Sequence, residues 1–363
     1  MKTPDKVLTK LVENISISAW ILDEEQNVVF MNDHMREWFG DLSGKKASII
    51  YECGSFENVD QTEAKSEGVS EVIIADVPFR RLNAIVDLED EGKYALELFE
   101  DISEQKLIHT NMTQALEKIT AETKMAKTIQ NSILPIDDIY WNTIAFSSLY
   151  FPADDLGGDF YDLLKLNDDE FLIYIADVAG HGIQAALLTV FMRERVKTNV
   201  EAALSSTSEL LSKMVQDFNS LDIDNTMYVT MVLCKYTRSK RELTISNAGH
   251  NCSPLIIRNN GRTETIPIRG MPVCMLAEGI DYEEETVSMN PGDRLVLFTD
   301  GIIEEIDSAT GRSLGAEGVR ELAKAHHSYN GAWLARTIMN KSDRFTLIGA
   351  KDDRSIIVVD ILS

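Results

Sequence analysis

Residues 104–134 contain neither glycine nor proline, and Pro135 closes the run. A stretch of that length without a breaker reads as one helix, and a proline directly after it cannot continue the hydrogen-bond ladder. Ile108, Met112, Ala115, Ile119, Glu122, Ala126, Ile129 and Ile133 are spaced 4-3-4-3-4-3-4, the repeat of a coiled-coil seam, with Glu122 as the one charged member. Four Lys and three Glu leave the segment nearly neutral. The alternative is a helix lying on its own domain. The spacing favours pairing with a second copy, so the expectation is a homodimer through residues 104–134, with one globular unit on either side: 1–103 and 135–363.

The segment 1–103 reads as a small mixed domain. It has a short helix (Val7 to Glu13), a hairpin in SAWILDEEQNVVFMN, a helical piece from Asp33 to Phe39, and a polar middle with little pattern. Two runs of near-alternating apolar residues, PFRRLNAIVDLED and KYALELFED, follow, joined at Asp90 to Gly92. Beyond Pro135 strand signals dominate: YDLLKL, FLIYIADV, MYVTMVLCKY, RELTISNA, SPLIIR, TETIPI, RLVLFTD and RSIIVVDI. Helices are expected from Ile183 to roughly Val200, from Ser206 to Asn219 and from Ala316 to His326. Hairpin-spaced strands without regular βαβ alternation imply an α+β protein with a mainly antiparallel core.

Charge and composition narrow the function. Thirty-five Lys and Arg against 59 Asp and Glu leave a formal charge of −24. Such a field repels polyanions and offers no footprint for a phosphate backbone, so nucleic acid and anionic membranes are not expected as partners. The N-terminus lacks an uninterrupted apolar segment, and the apolar run at Phe171 to Ile175 stops at Asp177, so a cytoplasmic protein is expected. Cys53, Cys234, Cys252 and Cys274 are far apart with no C-x-x-C pair, the pattern of buried thiols and not of a zinc site or disulfide framework.

The residues most informative about chemistry are acids at strand ends: Asp159 in GGDFYD, Asp177 in IADVAGHG, Asp300 in LFTDGIIE, and Asp352 with Asp353 in KDDRSIIVV. An apolar strand that runs straight into an aspartate aims the carboxylate off the sheet edge, where a flanking glycine admits a ligand or a carbonyl. Four convergent carboxylates repel one another, by roughly 3 kcal/mol per pair at about 5 Å and an effective dielectric near 20, and therefore call for cations. Oxygen-only ligation favours Mg²⁺ or Mn²⁺. Two such ions, +4 against −4, hold and acidify a water in line with a phosphoryl group, the chemistry of phosphate-monoester hydrolysis.

In this order and spacing GGDFYD, ADVAGHG, NAGHNCSPL, FTDGIIE and DDRSIIVV resemble the SpoIIE-like branch of the metal-dependent PPM (type 2C) serine/threonine protein phosphatases, and MAKTIQNSILP resembles the segment that precedes that domain. The resemblance implies an α-β-β-α sandwich and a site holding two Mn²⁺ or Mg²⁺ ions. In that site Asp159 and Asp177, the Val178 carbonyl, Asp300 and Asp352 are ligands and Asp353 is a neighbour. Metal-activated water is the nucleophile and no side chain takes that role. Many relatives place a candidate general-acid histidine two positions after the second aspartate; here that position is Ala179, and His181 and His250 read as shaping the glycine-rich loops. The implied substrate is a phosphorylated STAS-domain anti-anti-sigma factor. GGDFYD also invites comparison with the GGDEF motif of diguanylate cyclases, but Phe160 replaces the second acid and the other motifs stay unexplained. A non-catalytic scaffold of the same fold is the rival from another class, and retention of all four aspartates argues against it.

SAWILDEEQNVVFMNDHMREWFG resembles the opening of a PAS sensor domain, and YALELFEDISEQK its last strand and exit into a signalling helix. The resemblance implies a PAS-like α/β sensor that regulates the enzyme through the helix. Cys53 lacks the Arg and Gln neighbours of flavin-linking cysteines, and neither His34 nor His109 suits a haem, so no cofactor is expected there and the sensed ligand is left open.

Overall fold

The computed structural model describes residues 6–48, 68–74, 76–88, 92–180, 182–223, 226–304, 306, 312–343 and 352–363; Cys53, His181 and the turn expected at 90–92 lie wholly or partly outside them. The chain divides into two compact units, Met1–Ile119 and Thr120–Ser363.

In the first unit, α1 (Lys6–Glu13), β1 (Ser18–Leu22), β2 (Val28–Met31), α2 (Asp33–Phe39), β3 (Gly68–Ile74), β4 (Val77–Leu88) and β5 (Gly92–Asp101) build an antiparallel sheet of order β2-β1-β5-β4-β3. Strand alternation sends Trp20, Leu22, Phe79 and Phe99 to one face with Met35 of α2, while Ala19, Ile21 and Tyr94 meet Val12 of α1 on the other. Asn32 ends the hairpin and caps α2: its Oδ1 accepts from the amides of Met35 (2.9 Å) and Ala19 (3.0 Å). Buried Glu97 accepts from Trp20 Nε1 (2.9 Å) and from the Arg81 guanidinium (2.5 Å). The polar middle of the sequence hides β3, whose burial alternates only in its last residues.

The Gly- and Pro-free run forms α3 (Ser103–Ile133). Of its heptad positions, Ile108, Met112, Ile119 and Ile129 are all exposed, as are Leu107, Leu116 and Met125.

The second unit continues with β6 (Asp138–Tyr140), β7 (Ile144–Phe151), β8 (Asp159–Lys165), β9 (Glu170–Val178), α4 (Ile183–Thr198), α5 (Val200–Ser205), α6 (Thr207–Asn219), β10 (Val229–Thr237) and β11 (Glu242–Ala248). It ends with β12 (Leu255–Ile257), β13 (Thr263–Thr265), β14 (Glu285–Ser288), β15 (Arg294–Phe298), α7 (Gly315–Ala325), α8 (Gly331–Ser342) and β16 (Arg354–Ile361). Two antiparallel sheets, β14-β11-β10-β9-β8 and β13-β12-β15-β16-β7-β6, face each other across Phe146, Phe171, Ile175, Val232, Leu297 and Ile357. Helices α4 and α6 cover the outer face of the first sheet, and α7 and α8 that of the second. This is the α-β-β-α sandwich expected from the sequence. It also explains FLIYIA: with a helix layer on one side and a sheet on the other, both faces of β9 are buried, so its apolar run has no polar alternation. Each large side chain so buried contributes about 1.5–3 kcal/mol.

Helix ends follow local chemistry. The Ser206 hydroxyl accepts from the Glu209 amide (3.0 Å), and Asn330 Oδ1 accepts from the Trp333 amide (2.8 Å). The helix expected to reach Val200 stops at Thr198 because Asn199 leaves helical geometry, and α5 restarts after it. Strand β7 and helix α8 were not anticipated; β7 has partly buried polar positions in FSS that blur its alternation. Cys234 and Cys252 are buried free thiols, whereas Cys274 is only half-buried. Among the described residues no helix is long and apolar enough to cross a membrane.

Candidate metal centre

The four strand-end aspartates come from both sheets of the second unit. Asp159 begins β8 and stands opposite Asp177 near the end of β9. Asp300 opens a short 3₁₀ turn, Asp300–Ile302, directly after β15, and Asp352 lies just before the adjacent strand β16. The two hairpin-like pairs therefore deliver all four acids to one end of the sandwich, as the sequence reading expected.

Glycine makes the close approach workable. A Cβ on Gly158 would lie 2.6 Å from the Val178 carbonyl oxygen and 3.4 Å from Asp177 Oδ1, so any side chain there would fill the cradle between the β8 and β9 ends. A Cβ on Gly301 would sit 2.1 Å from the Asp353 carbonyl oxygen, which ties the FTDG turn to β16. Gly157 is as tight: its Cβ would fall 2.0 Å from the Tyr150 hydroxyl and 2.5 Å from Asp353 Oδ2.

The electrostatics are those of crowded like charges. Asp159, 2% exposed, is held well above the usual carboxylate range by burial and then by Asp177 and Asp353, although the Thr299 hydroxyl donates to its Oδ2 (2.8 Å). Asp177 is pushed up to about 7 by burial and by Asp300, Asp352 and Asp353. Asp352, at the open rim, rises to about 6 through partial desolvation and the charges of Asp300, Asp353 and Glu304, even though the Asp353 amide donates to it. Among the described residues, no cationic side chain figures in these three environments. Among the described residues, no three acid, histidine or cysteine side chains stand in closed ligand geometry.

Asp353 does something else. Its Oδ1 accepts from the Ala153 amide (2.8 Å) and its Oδ2 from the Gly158 amide (2.5 Å), so this buried carboxylate anchors the loop that presents Asp159. Further residues surround Asp159 and Asp300. Thr299 joins Asp159 to β16 by donating to the acid while accepting from the Ser355 amide (2.9 Å), and Glu304 is folded back by its amide bond to the Asp300 carbonyl (2.8 Å). Gln130, near the end of α3 and 5% exposed, donates to the Gly157 carbonyl (2.7 Å). Thr299 sits within the FTDG motif and Gln130 within MAKTIQNSILP, so both lie in segments that the sequence marks out, although their bonds are not legible there.

Comparison with known proteins agrees with this architecture. Residues 167–362, more than half of the chain, match the family described as Stage II sporulation protein E (SpoIIE). The phosphoserine phosphatase RsbU of Bacillus subtilis (strain 168) is 25% identical over 198 residues, 54% of this chain and 57% of RsbU. The phosphoserine phosphatase RsbP of the same organism is 24% identical over 186 residues, 50% of this chain and 45% of RsbP. The chain thus spans about half the length of the curated relatives it matches. Among solved structures, the SiaA-PP2C domain of Pseudomonas aeruginosa superposes with a TM-score of 0.59 at 23% identity, covering 68% of this chain and 98% of that one, which establishes a PP2C-like fold for the second unit. With its two facing sheets, the acids they bring together and a family match over residues 167–362, the chain belongs to the SpoIIE family.

Proposed function

We propose that the protein is a metal-dependent serine/threonine protein phosphatase that hydrolyses phosphoserine or phosphothreonine on a partner protein. The observation that carries this reading is the raised proton affinity of Asp159, Asp177 and Asp352, crowded together by burial and one another's charge with no cationic partner among the described residues, an arrangement that asks for divalent cations. Asp159, Asp177, the Val178 carbonyl, Asp300 and Asp352 would hold two Mn²⁺ or Mg²⁺ ions. When bound, such ions neutralise phosphoryl oxygens and lower the pKa of water. The chain's own residues do the rest. Thr299 and Asp353 orient Asp159 and its loop, Gly158 keeps the Val178 carbonyl accessible, and the carboxylates become ligands as they lose their protons. No side chain is assigned as nucleophile or general acid.

A protein substrate suits the surroundings. Ile183, Leu187 and Tyr228 are exposed beside the loop that follows Asp177, and the Tyr228 carbonyl accepts from the Ala179 amide (2.9 Å). A groove of about 490 Å³ between α4 and the segment after α6, lined by Leu187, Phe191, Ile223 and Met227, carries no basic side chain. Docking there would rest on shape and apolar contact, as a −24 chain requires. The similarity to the phosphoserine phosphatases RsbU and RsbP supports a phosphoserine substrate, and the motif resemblance extends the proposal to a phosphorylated STAS-domain partner met in the cytoplasm in sigma-factor control.

Regulation by a PAS-like first unit is part of the same proposal. It is supported by the hairpin that ends on Asn32 and by β5, which leads through buried Ile102 into α3. The exposed apolar positions of α3 fit pairing with a second copy, and Gln130 gives the helix a direct bond to the loop before Asp159. The test is phosphate release from a phosphoserine protein with Mn²⁺, with chelator, and with Asp159→Asn. Turnover that needs the metal and is lost in the variant supports the reading, and turnover unaffected by chelation overturns it.

A further inference from the structure

His250, in the loop after β11, is 6% exposed, and both of its ring nitrogens are engaged. Nε2 lies 2.9 Å from the Phe298 carbonyl oxygen, and Nδ1 lies 3.2 Å from the Thr230 hydroxyl. A carbonyl only accepts, so Nε2 carries the proton. Burial holds the ring below its ordinary pKa and neutral, which leaves Nδ1 to accept from Thr230. The backbone around the ring is itself fixed. Asn247 Oδ1 accepts from the His250 amide (2.7 Å), and Asn247 Nδ2 donates to the carbonyls of His250 (2.9 Å) and Ile268 (2.9 Å).

The two ends of this strap fall on the acids. Thr230 of β10 stands directly opposite Asp177 of β9. Phe298 is the last residue of β15, two before Asp300, and Thr299 between them donates to Asp159. β10 belongs to the five-stranded sheet and β15 to the six-stranded one. We infer that His250 is a positioning residue of the metal centre, an imidazole that ties the two sheets through its bonds to Thr230 and Phe298 and so sets the spacing between Asp177 and Asp300. The inference rests on the reading of those aspartates as metal ligands. An apolar residue of similar size would fill the space but leave the Phe298 carbonyl without its donor and Thr230 without its acceptor, freeing the strand ends to splay under the repulsion of their carboxylates.

Mn²⁺ titration calorimetry on the full chain tests this, paired with thermal unfolding in chelator. Thr230→Val keeps shape and removes only the hydroxyl; His250→Leu removes both bonds; His250→Gln can donate and accept again. Thr230→Val and His250→Leu are each expected to weaken Mn²⁺ binding by on the order of tenfold, as loss of the bonds that orient ligands does. The double variant should be little worse than His250→Leu, and His250→Gln should recover most of the affinity. The chelated Thr230→Val protein should unfold within a few degrees of wild type. Unchanged Mn²⁺ affinity in Thr230→Val, or earlier melting of His250→Leu with unchanged affinity, would make the ring a packing element only and overturn the assignment. Absence of Mn²⁺ binding in the wild type would instead overturn the metal reading on which it rests.

Discussion

Replacing Asp177 by asparagine is expected to stabilise the metal-free protein while abolishing its response to Mn²⁺. The carboxyl titrates near 7 in the folded chain against 3.8 for a free aspartate side chain, a difference that corresponds to at most about 4 kcal/mol. The sign follows from proton counting. Between the two values the folded state keeps the proton and the unfolded state does not, so stability falls as pH rises from about 4 to 7 and levels off above. Because Asp177 is partly open to solvent, about 2–4 kcal/mol is the realistic range at pH 8, and roughly 1 kcal/mol at pH 5. Asparagine never ionises and escapes the penalty. In calorimetric unfolding with chelator, the transition of the second unit should rise by about 4–16 °C in Asp177→Asn at pH 8, at roughly 2–4 °C per kcal/mol, and by much less at pH 5. Adding Mn²⁺ should reverse the order, since only the wild type gains binding energy. A chelated variant no more stable than wild type at pH 8, or a gain independent of pH, would refute the picture of crowded, uncompensated carboxylates.

Gly157→Ala drives a methyl group into the Tyr150 hydroxyl and the Asp353 carboxylate, so it should cost more than about 2 kcal/mol in urea unfolding and lower Mn²⁺ affinity together; an alanine variant equal to wild type in both would show that the loop has room to spare. Ile119→Asp with Ile129→Asp puts two charges on the exposed heptad stripe of α3 and should give monomers in light scattering, and an unchanged dimer would sink the coiled-coil proposal.

What could be read from the sequence was what local chemistry decides. Helix α3 was legible because 31 consecutive helical residues contain no breaker, Asp177 because the apolar run of β9 leads into it, and Asp159 because two glycines that have to be glycine stand directly before it. Asp300 was legible because it follows β15, and Asp352 because it stands directly before the apolar run of β16; β15–β16 pairing then brings them together. Strand β3 was hidden because only Val72 and Ile74 of its seven residues are buried, and helix α8 because the run GAWLARTIMNKS was passed over although Asn330 caps it. The sequence placed Asp353 beside the ligand set, His250 in a glycine-rich loop and Gln130 in MAKTIQNSILP, but the bonds these three side chains make could not be read from it. Their partners lie 20 and 48, 195, and 27 residues away, and no local pattern encodes a bond that exists only once two sheets have met.

The most direct test counts metal and turnover on the same samples, with Mn²⁺ bound per chain measured by calorimetry and phosphate release measured from a phosphoserine protein. Wild type is expected to bind two ions and release phosphate, whereas Asp300→Asn should bind at most one and lose turnover by on the order of a hundredfold or more. Turnover that persists in chelator, or an Asp300→Asn protein that still binds two ions and still releases phosphate, would contradict the proposal that these aspartates form a two-metal hydrolytic centre.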